Sequence, residues 1–211
     1  METNIVILGK GDDVIGMILD NLFSNGIFGN IIIYNNLSLP TLKEINHPDF
    51  NLDIRKEIDI KQFNKYILGV YDPKHKIKIT ETLNPEIEKF QNLLFNDFTI
   101  SKTSKIGFGC MIDSRVSVAA HTTIGNFVSI NRHVSIGHHT IIEDFVSINP
   151  GCNIAGNVTI GRGTTIGMGT NVLNTIKIGE NSIIGASSNV TKDIPSNIIA
   201  YGNPCKIIKN I

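Results

Sequence analysis

A left-handed parallel β-helix preceded by a small Rossmann-like α/β domain is the fold that three features of this sequence predict. Every sixth residue from Ile100 to Val190 is Ile or Val. A second register, four residues further on, holds only small or β-branched side chains, among them Cys110, Val116, Thr122, Val128, Thr140, Cys152, Thr164 and Thr170. The residues before Ile100 lack this period and instead combine short apolar runs with apolar positions at helical spacing.

The six-residue period reads as a prism. Each hexapeptide supplies one short strand and one corner, and three of them, eighteen residues, close a triangular coil. The aliphatic residue points inward and stacks on its equivalents above and below. Sandwiches and barrels would show period 2 broken by irregular turns. Glycine often follows the aliphatic position, at Gly107, Gly125, Gly137, Gly161, Gly167, Gly179 and Gly185, where the chain is expected to turn tightly. No insertion interrupts the run, so the expected limits are 1–97 for the α/β domain, 98–194 for the β-helix and 195–211 for a C-terminal tail.

The amino-terminal part predicts a βαβ opening. Ile5 to Leu8 is an apolar strand, Val14 to Phe23 carries helical spacing, and Ile31 to Tyr34 is a second strand. Tyr66 to Tyr71 reads as a third strand, and Pro73 to Leu94 as a helical stretch interrupted near Pro85. The polar segment from Leu37 to Lys65 between them gives no ordered pattern. Gly9-Lys10-Gly11 lacks the third glycine and later acidic residue of a dinucleotide fingerprint, and Asp12 and Asp13 stand where amides would meet a phosphate.

Composition excludes several classes of function. Nineteen basic and nineteen acidic side chains cancel, and no long run of either sign offers a footprint for nucleic acid or an anionic membrane. No apolar stretch approaches the ~18–20 residues of a spanning helix, and no leader pattern opens the chain. Cys110, Cys152 and Cys205 form an odd set without CxxC spacing, which fits reduced thiols and a cytoplasmic protein.

A short α/β domain followed by an unbroken hexapeptide helix, with HHTIIEDFVSINPGCNIAGNVTIG and a terminal YGNPCK, resembles bacterial sugar acyltransferases. The resemblance is to the sialic-acid O-acetyltransferase type and to the N-acetyltransferases that modify 4-amino-sugar nucleotides. It implies a homotrimer, with acetyl-CoA or another acyl-CoA as co-substrate between neighbouring prisms and no permanently bound cofactor or metal. It also implies a sugar or nucleotide-sugar acceptor held partly by the α/β domain, and one histidine as general base. That histidine matches His138, whose type suits the step: an imidazole titrating near neutrality removes a proton as the acceptor attacks the thioester.

The sequence departs from the family at several places. An acidic residue often follows the base, and here His139 does; a second histidine nine residues on is replaced by Ser147. In the first domain Asp13 stands for a histidine, and Asn35 and Asn36 for aspartates. Candidates to support the base are His139, Glu143 and Asp144. The resemblance carries CoA contacts to Ser147, Gly156, Met168 and Ala186, and Lys192 and Lys206 are candidates to meet CoA phosphates. Candidate acceptor-binding residues are Gly9, Gly11, Asp13, Asn35 and Asn36, around the carboxyl end of a parallel sheet.

Acetylation of the amine of a 4-amino-sugar nucleotide is the leading expectation, and O-acetylation of a sialic acid or another sugar hydroxyl the alternative. The same prism also serves zinc hydratases, in which His133 and His138 would bind metal across a trimer interface, with Asp97 where a third ligand belongs. His121 and His139 share one face a coil apart. A non-catalytic trimeric scaffold is the remaining reading.

Overall fold

A computed structural model describes residues 5–9, 12–27, 29–34 and 48–211, with only the backbone of residues 12 and 13. The chain divides into two compact units, Met1–Leu93 and Leu94–Ile211.

The first unit is a four-stranded parallel sheet of β1 (Ile5–Leu8), β2 (Gly29–Tyr34), β3 (Phe50–Arg55) and β4 (Lys65–Leu68), in the order β3-β2-β1-β4. Strand β1 is central and buried at every residue, as its uninterrupted apolar run requires. Helix α1 (Asp12–Ser24) buries Val14, Ile15, Ile18, Leu19 and Leu22, the residues whose spacing predicted it. Strand β3 lies in the segment that gave no sequence pattern. It is an edge strand exposed along most of its length, so its polar residues carry no alternation to detect. Helix α2 runs only from Pro73 to Leu83: Asp72 caps its start, and Asn84, in the left-handed conformation at φ 39°, ends it before Pro85.

The second unit is a parallel β-helix of two-residue strands spaced by six residues. Three sheets form its faces. The first face carries Lys105–Ile106, Thr123–Ile124, Ile141–Ile142, Thr159–Ile160 and Lys177–Ile178. The second runs through Met111–Ile112, Ser129–Ile130, Ser147–Ile148, Thr165–Ile166 and Ile183–Ile184. The third includes Ser117–Val118, Ser135–Ile136, Asn153–Ile154, Asn171–Val172 and Asn189–Val190. Beyond the repeats, Ile198–Tyr201 pairs in parallel with Ile183–Ile184 and folds back on Lys206–Asn210, so the tail continues the second face as a hairpin.

The second register lines the interior beside the aliphatic stacks. Its hydroxyls and thiols donate to the next coil: Thr122, Thr140, Thr164 and Thr170 to the carbonyls of Gly137, Ala155, Gly179 and Gly185, at 2.7–3.1 Å. Cys110 and Cys152 do the same toward Gly125 and Gly167, each at 3.1 Å. Burial pushes the Cys152 thiol up, which keeps its proton available for that bond. Small polar groups are thus accommodated inside without unmet hydrogen bonds.

The corners correct the expected turn positions. From Ile106 to Ile184 the left-handed conformation falls three residues after the aliphatic, not one. It recurs at six-residue intervals through Arg115, His121, Phe127, His133, His139 and Phe145, and continues through Gly151 to Ser187, with φ between 53° and 70°. At each corner from Phe127 onward, the N–H of this residue donates back to the preceding coil, as His139 does to the Ala120 carbonyl at 3.0 Å. Glycines after the aliphatic answer a different need. A Cβ on Gly161 would lie 2.5 Å from the Glu180 nitrogen, and one on Gly167 2.5 Å from that of Ala186. Close coil approach, not turning, selects glycine there.

Two substitutions separate these causes. Gly161→Ala should destabilise the β-helix by about 1–3 kcal/mol through overpacking. Gly151→Ala, at φ +70° but with nothing near its absent Cβ, should cost only about 1 kcal/mol. Urea denaturation followed by circular dichroism measures both, and the reverse order would contradict the assignment.

Candidate functional site

His138 and His139 occupy the edge between the third and first faces, directly after Ser135–Ile136 and before Ile141–Ile142. Their backbone is pinned on both sides. The His139 N–H donates to Ala120 at 3.0 Å, and the His138 carbonyl accepts from the Asn157 N–H at 2.8 Å. Thr140 anchors the inner side of the same corner. Both imidazoles are exposed to solvent.

The side chains are arranged by what lies above and below. The His138 ring rests over Gly156, one coil on, where a Cβ would lie 2.8 Å from both its Cε1 and Nε2. His138 Nδ1 lies 3.0 Å from His139 Nδ1, and the two rings meet edge to face at 5.1 Å. On the other side the His139 ring lies against that of His121, one coil back, tilted by 40° at 4.8 Å between centroids. The spacing of eighteen in the sequence had already brought His121 and His139 to one edge; their ring contact adds His121 to the site.

The expected carboxylate helpers stand elsewhere. Glu143 and Asp144 belong to the next edge, between the first and second faces. Glu143 Oε2 accepts from the Arg162 N–H at 2.8 Å, and Asp144 Oδ1 from the Asn126 N–H at 2.7 Å. Both are coil-to-coil acceptors, so the group at hydrogen-bond distance from His138 Nδ1 is His139.

Gly156 and Lys192 share the edge of His138, being one and three coils along it. Met168 and the exposed Ala186 lie on the edge between the second and third faces, where Met168 is 59% exposed. Ser147 is buried on the second face, and Lys206 is exposed at the start of the second strand of the terminal hairpin. A hollow of about 490 Å³ opens around Glu143, Lys177, Glu180, Asp193 and Ser196, away from the histidine edge. There Asp193 and Ser196 accept from the Lys177 and Glu180 N–H groups, as the chain leaves its six-residue period.

His133 lies on the edge of Met168, its Nε2 3.2 Å from Arg115 Nη1. A guanidinium at a ring nitrogen does not favour metal binding there. Among the described residues no three His, Cys, Asp or Glu side chains are grouped to hold a metal, and no helix is long and apolar enough to cross a membrane.

In the first unit Gly9 follows β1 at φ +89°, and its N–H donates to the Tyr34 carbonyl at 2.9 Å. A Cβ there would meet Val70 at 2.8 Å and Ile79 at 2.9 Å, so packing and the positive φ together favour glycine. Asp13 is described only as backbone in α1, and Gly11, Asn35 and Asn36 lie outside the described residues. Arg55, at the carboxyl end of β3 and paired with Asp53 at 2.6 Å, adds a polar group that the unordered sequence pattern did not reveal.

Comparison with known proteins bears on both units. The family described as bacterial transferase hexapeptide (six repeats) matches residues 139–174 and 157–192. No curated protein matches the chain in sequence. Among solved structures, a histidine variant of perosamine N-acetyltransferase from Caulobacter crescentus, in complex with CoA and GDP-perosamine, is similar with a TM-score of 0.82. It is 21% identical, with 98% of this chain and 97% of that one covered. The acetyltransferase domain of PglB from Neisseria gonorrhoeae, in complex with acetyl coenzyme A, gives 0.80 at 22% identity, covering 99% and 100%. WeeI from Acinetobacter baumannii gives 0.74 at 19%, covering 97% and 100%. The shared fold therefore includes the α/β unit as well as the β-helix.

Gly156→Ala tests the seat of His138. Gly156 has no left-handed backbone to strain, and the three atoms nearest its new methyl all belong to the His138 imidazole. The variant should melt within a few degrees of wild type while the His138 ring resonances shift. An unmoved ring would contradict this packing.

Proposed function

We propose that this chain is an acyl-CoA-dependent N-acetyltransferase that acylates the amine of a 4-amino-sugar nucleotide, working as a cytoplasmic homotrimer with His138 as general base. The observation that carries the reading is an exposed imidazole, seated over bare Gly156 on one edge of the β-helix, with its Nδ1 held by a neighbour. The fold shared along nearly the whole chain with enzymes solved with CoA and GDP-perosamine, or with acetyl coenzyme A, supports the choice of donor and acceptor.

The chemistry needs few groups. A neutral sugar amine attacks the thioester carbonyl, forming a C–N bond and a tetrahedral oxyanion. His138 Nε2 removes the proton that the nitrogen sheds. Collapse breaks the C–S bond, and the CoA thiolate takes that proton from the imidazolium, leaving an amide and free CoA thiol. A backbone N–H of the facing prism is the simplest donor to the oxyanion.

Geometry supports an intersubunit site. Lys192 is three coils beyond His138, about 14 Å at a strand spacing of 4.7–4.9 Å, which suits an extended thioester arm with its phosphates at the lysine end. Met168 and Ala186 lie on another edge of the same prism. One ligand touching both edges lies between two chains, so trimer formation becomes a requirement for catalysis. Acceptor binding is assigned to the carboxyl ends of β1–β4, around Gly9 and the segments that hold Gly11, Asp13, Asn35 and Asn36.

His138→Ala should leave the fold and assembly intact and slow acetyl-CoA-dependent acylation of GDP-perosamine by about 10²–10⁴-fold, the usual contribution of a positioned base. Size-exclusion chromatography and a thiol-release assay measure the two. Wild-type turnover in the variant would overturn the assignment of the base.

A further inference from the structure

The closeness of His138 and His139 has a chemical requirement that the general-base reading does not include. Two ring nitrogens 3.0 Å apart need one proton between them: two lone pairs repel, and so do two N–H groups. Two neutral arrangements meet that need. Either His138 carries the proton on Nδ1 and His139 accepts through a bare Nδ1, or the reverse. In the reverse arrangement His138 is protonated on Nε2, and its free nitrogen is turned into the contact, away from any acceptor.

We propose that His139 is a positioning residue that accepts a hydrogen bond from Nδ1–H of His138, fixing the tautomer in which Nε2 of His138 is the free base. This rests on His138 being the base. The surroundings of His139 hold it to that task. Its backbone is left-handed at φ 57°, a conformation that histidine adopts more readily than most residues, and its N–H is tied to Ala120. Its ring is backed by His121, whose own left-handed corner at φ 60° is tied to Thr103 Oγ1 at 2.9 Å. A ring in tilted contact with His121 on one side and at hydrogen-bond distance through Nδ1 on the other is held in that orientation. With Glu143 and Asp144 bound to neighbouring coils, a neutral imidazole takes the orienting part that a carboxylate takes in a Ser-His-Asp triad.

Two variants that suit a left-handed corner test this without unfolding it. His139→Gly removes the acceptor and the ring. His139→Asn puts an amide oxygen where Nδ1 was, and asparagine tolerates the conformation. In protein labelled with ¹⁵N-histidine, ring nitrogen shifts should show His138 protonated on Nδ1 in the wild type and in His139→Asn, and that preference lost in His139→Gly. With acetyl-CoA and GDP-perosamine, His139→Gly should lower kcat by about 10-fold or more at unchanged KM, a share of the usual general-base contribution. His139→Asn should restore most of it.

A proton on Nε2 of His138 in the wild type would overturn the proposal. So would wild-type kcat in His139→Gly, or an Asn variant that falls as far as the Gly variant. The tautomer is read without turnover. A chain that transfers no acetyl group yet holds the proton on Nδ1 sinks the acetyltransferase reading and not this one.

Discussion

Each coil of the β-helix is bonded to the next at strand spacing, and the rest of the second unit follows from that contact. Along the faces, an N–H donates forward to the coil above, as Ile141 does to Val158 and Ser147 to Thr164. At the corners, the left-handed residue donates backward to the coil below, as Phe145 does to Asn126. The two directions together pin the corners from Phe127 to Ser187 between their neighbours. Left-handed corners cost roughly 1–2 kcal/mol where the residue is not glycine, and these backbone bonds at 2.8–3.1 Å offset that cost at His133, His139, Phe145 and Asn157. The same pitch leaves no room for a Cβ at Gly161 or Gly167.

A fixed pitch turns sequence spacing into position. Residues eighteen apart stand in columns, so His121, His139 and Asn157 form one column and His138, Gly156, Asn174 and Lys192 the next. An edge can therefore be read one coil at a time: the exposed His138 imidazole at one level, bare Gly156 on the next coil against its ring, and Lys192 two coils further on. The rigidity also has a consequence for assembly. No loop interrupts the coils from Ile100 to Val190, so these coils offer edges and faces without a lid of their own. In the proposed enzyme, a neighbouring prism supplies the enclosure that excludes water from the thioester.

The sequence was most informative where the period is strict. The aliphatic register identified the faces and their inward positions; the structure adds that the Thr and Cys register also lines the interior, with hydroxyls and thiols bonded across coils to residues such as Gly137, Ala155 and Gly125. The corners were misread for a physical reason. Glycine signals both left-handed backbone and close approach, and at Gly107, Gly125 and Gly161 the second cause operates while His, Phe, Arg and Asn occupy many left-handed positions. Strand β3 escaped notice because an exposed edge strand needs no apolar alternation. At the candidate site, the spacing of eighteen placed His121 and His139 on one edge, and their ring contact is seen in the structure. The commitments of Glu143 and Asp144 to Arg162 and Asn126 were not legible, because a carboxylate capping a neighbouring coil and one awaiting a substrate look alike in a sequence.

The most direct measurement of the central claim is thiol release from acetyl-CoA by the purified full chain, run in parallel against nucleotide-linked 4-amino sugars, free amino sugars and sialic acids. CoA thiol release should depend on a nucleotide-linked 4-amino sugar, with an N-acetyl product identified by mass spectrometry. Release that depends on a sialic acid with an O-acetyl product, or on no acceptor in any of the three groups, would contradict it.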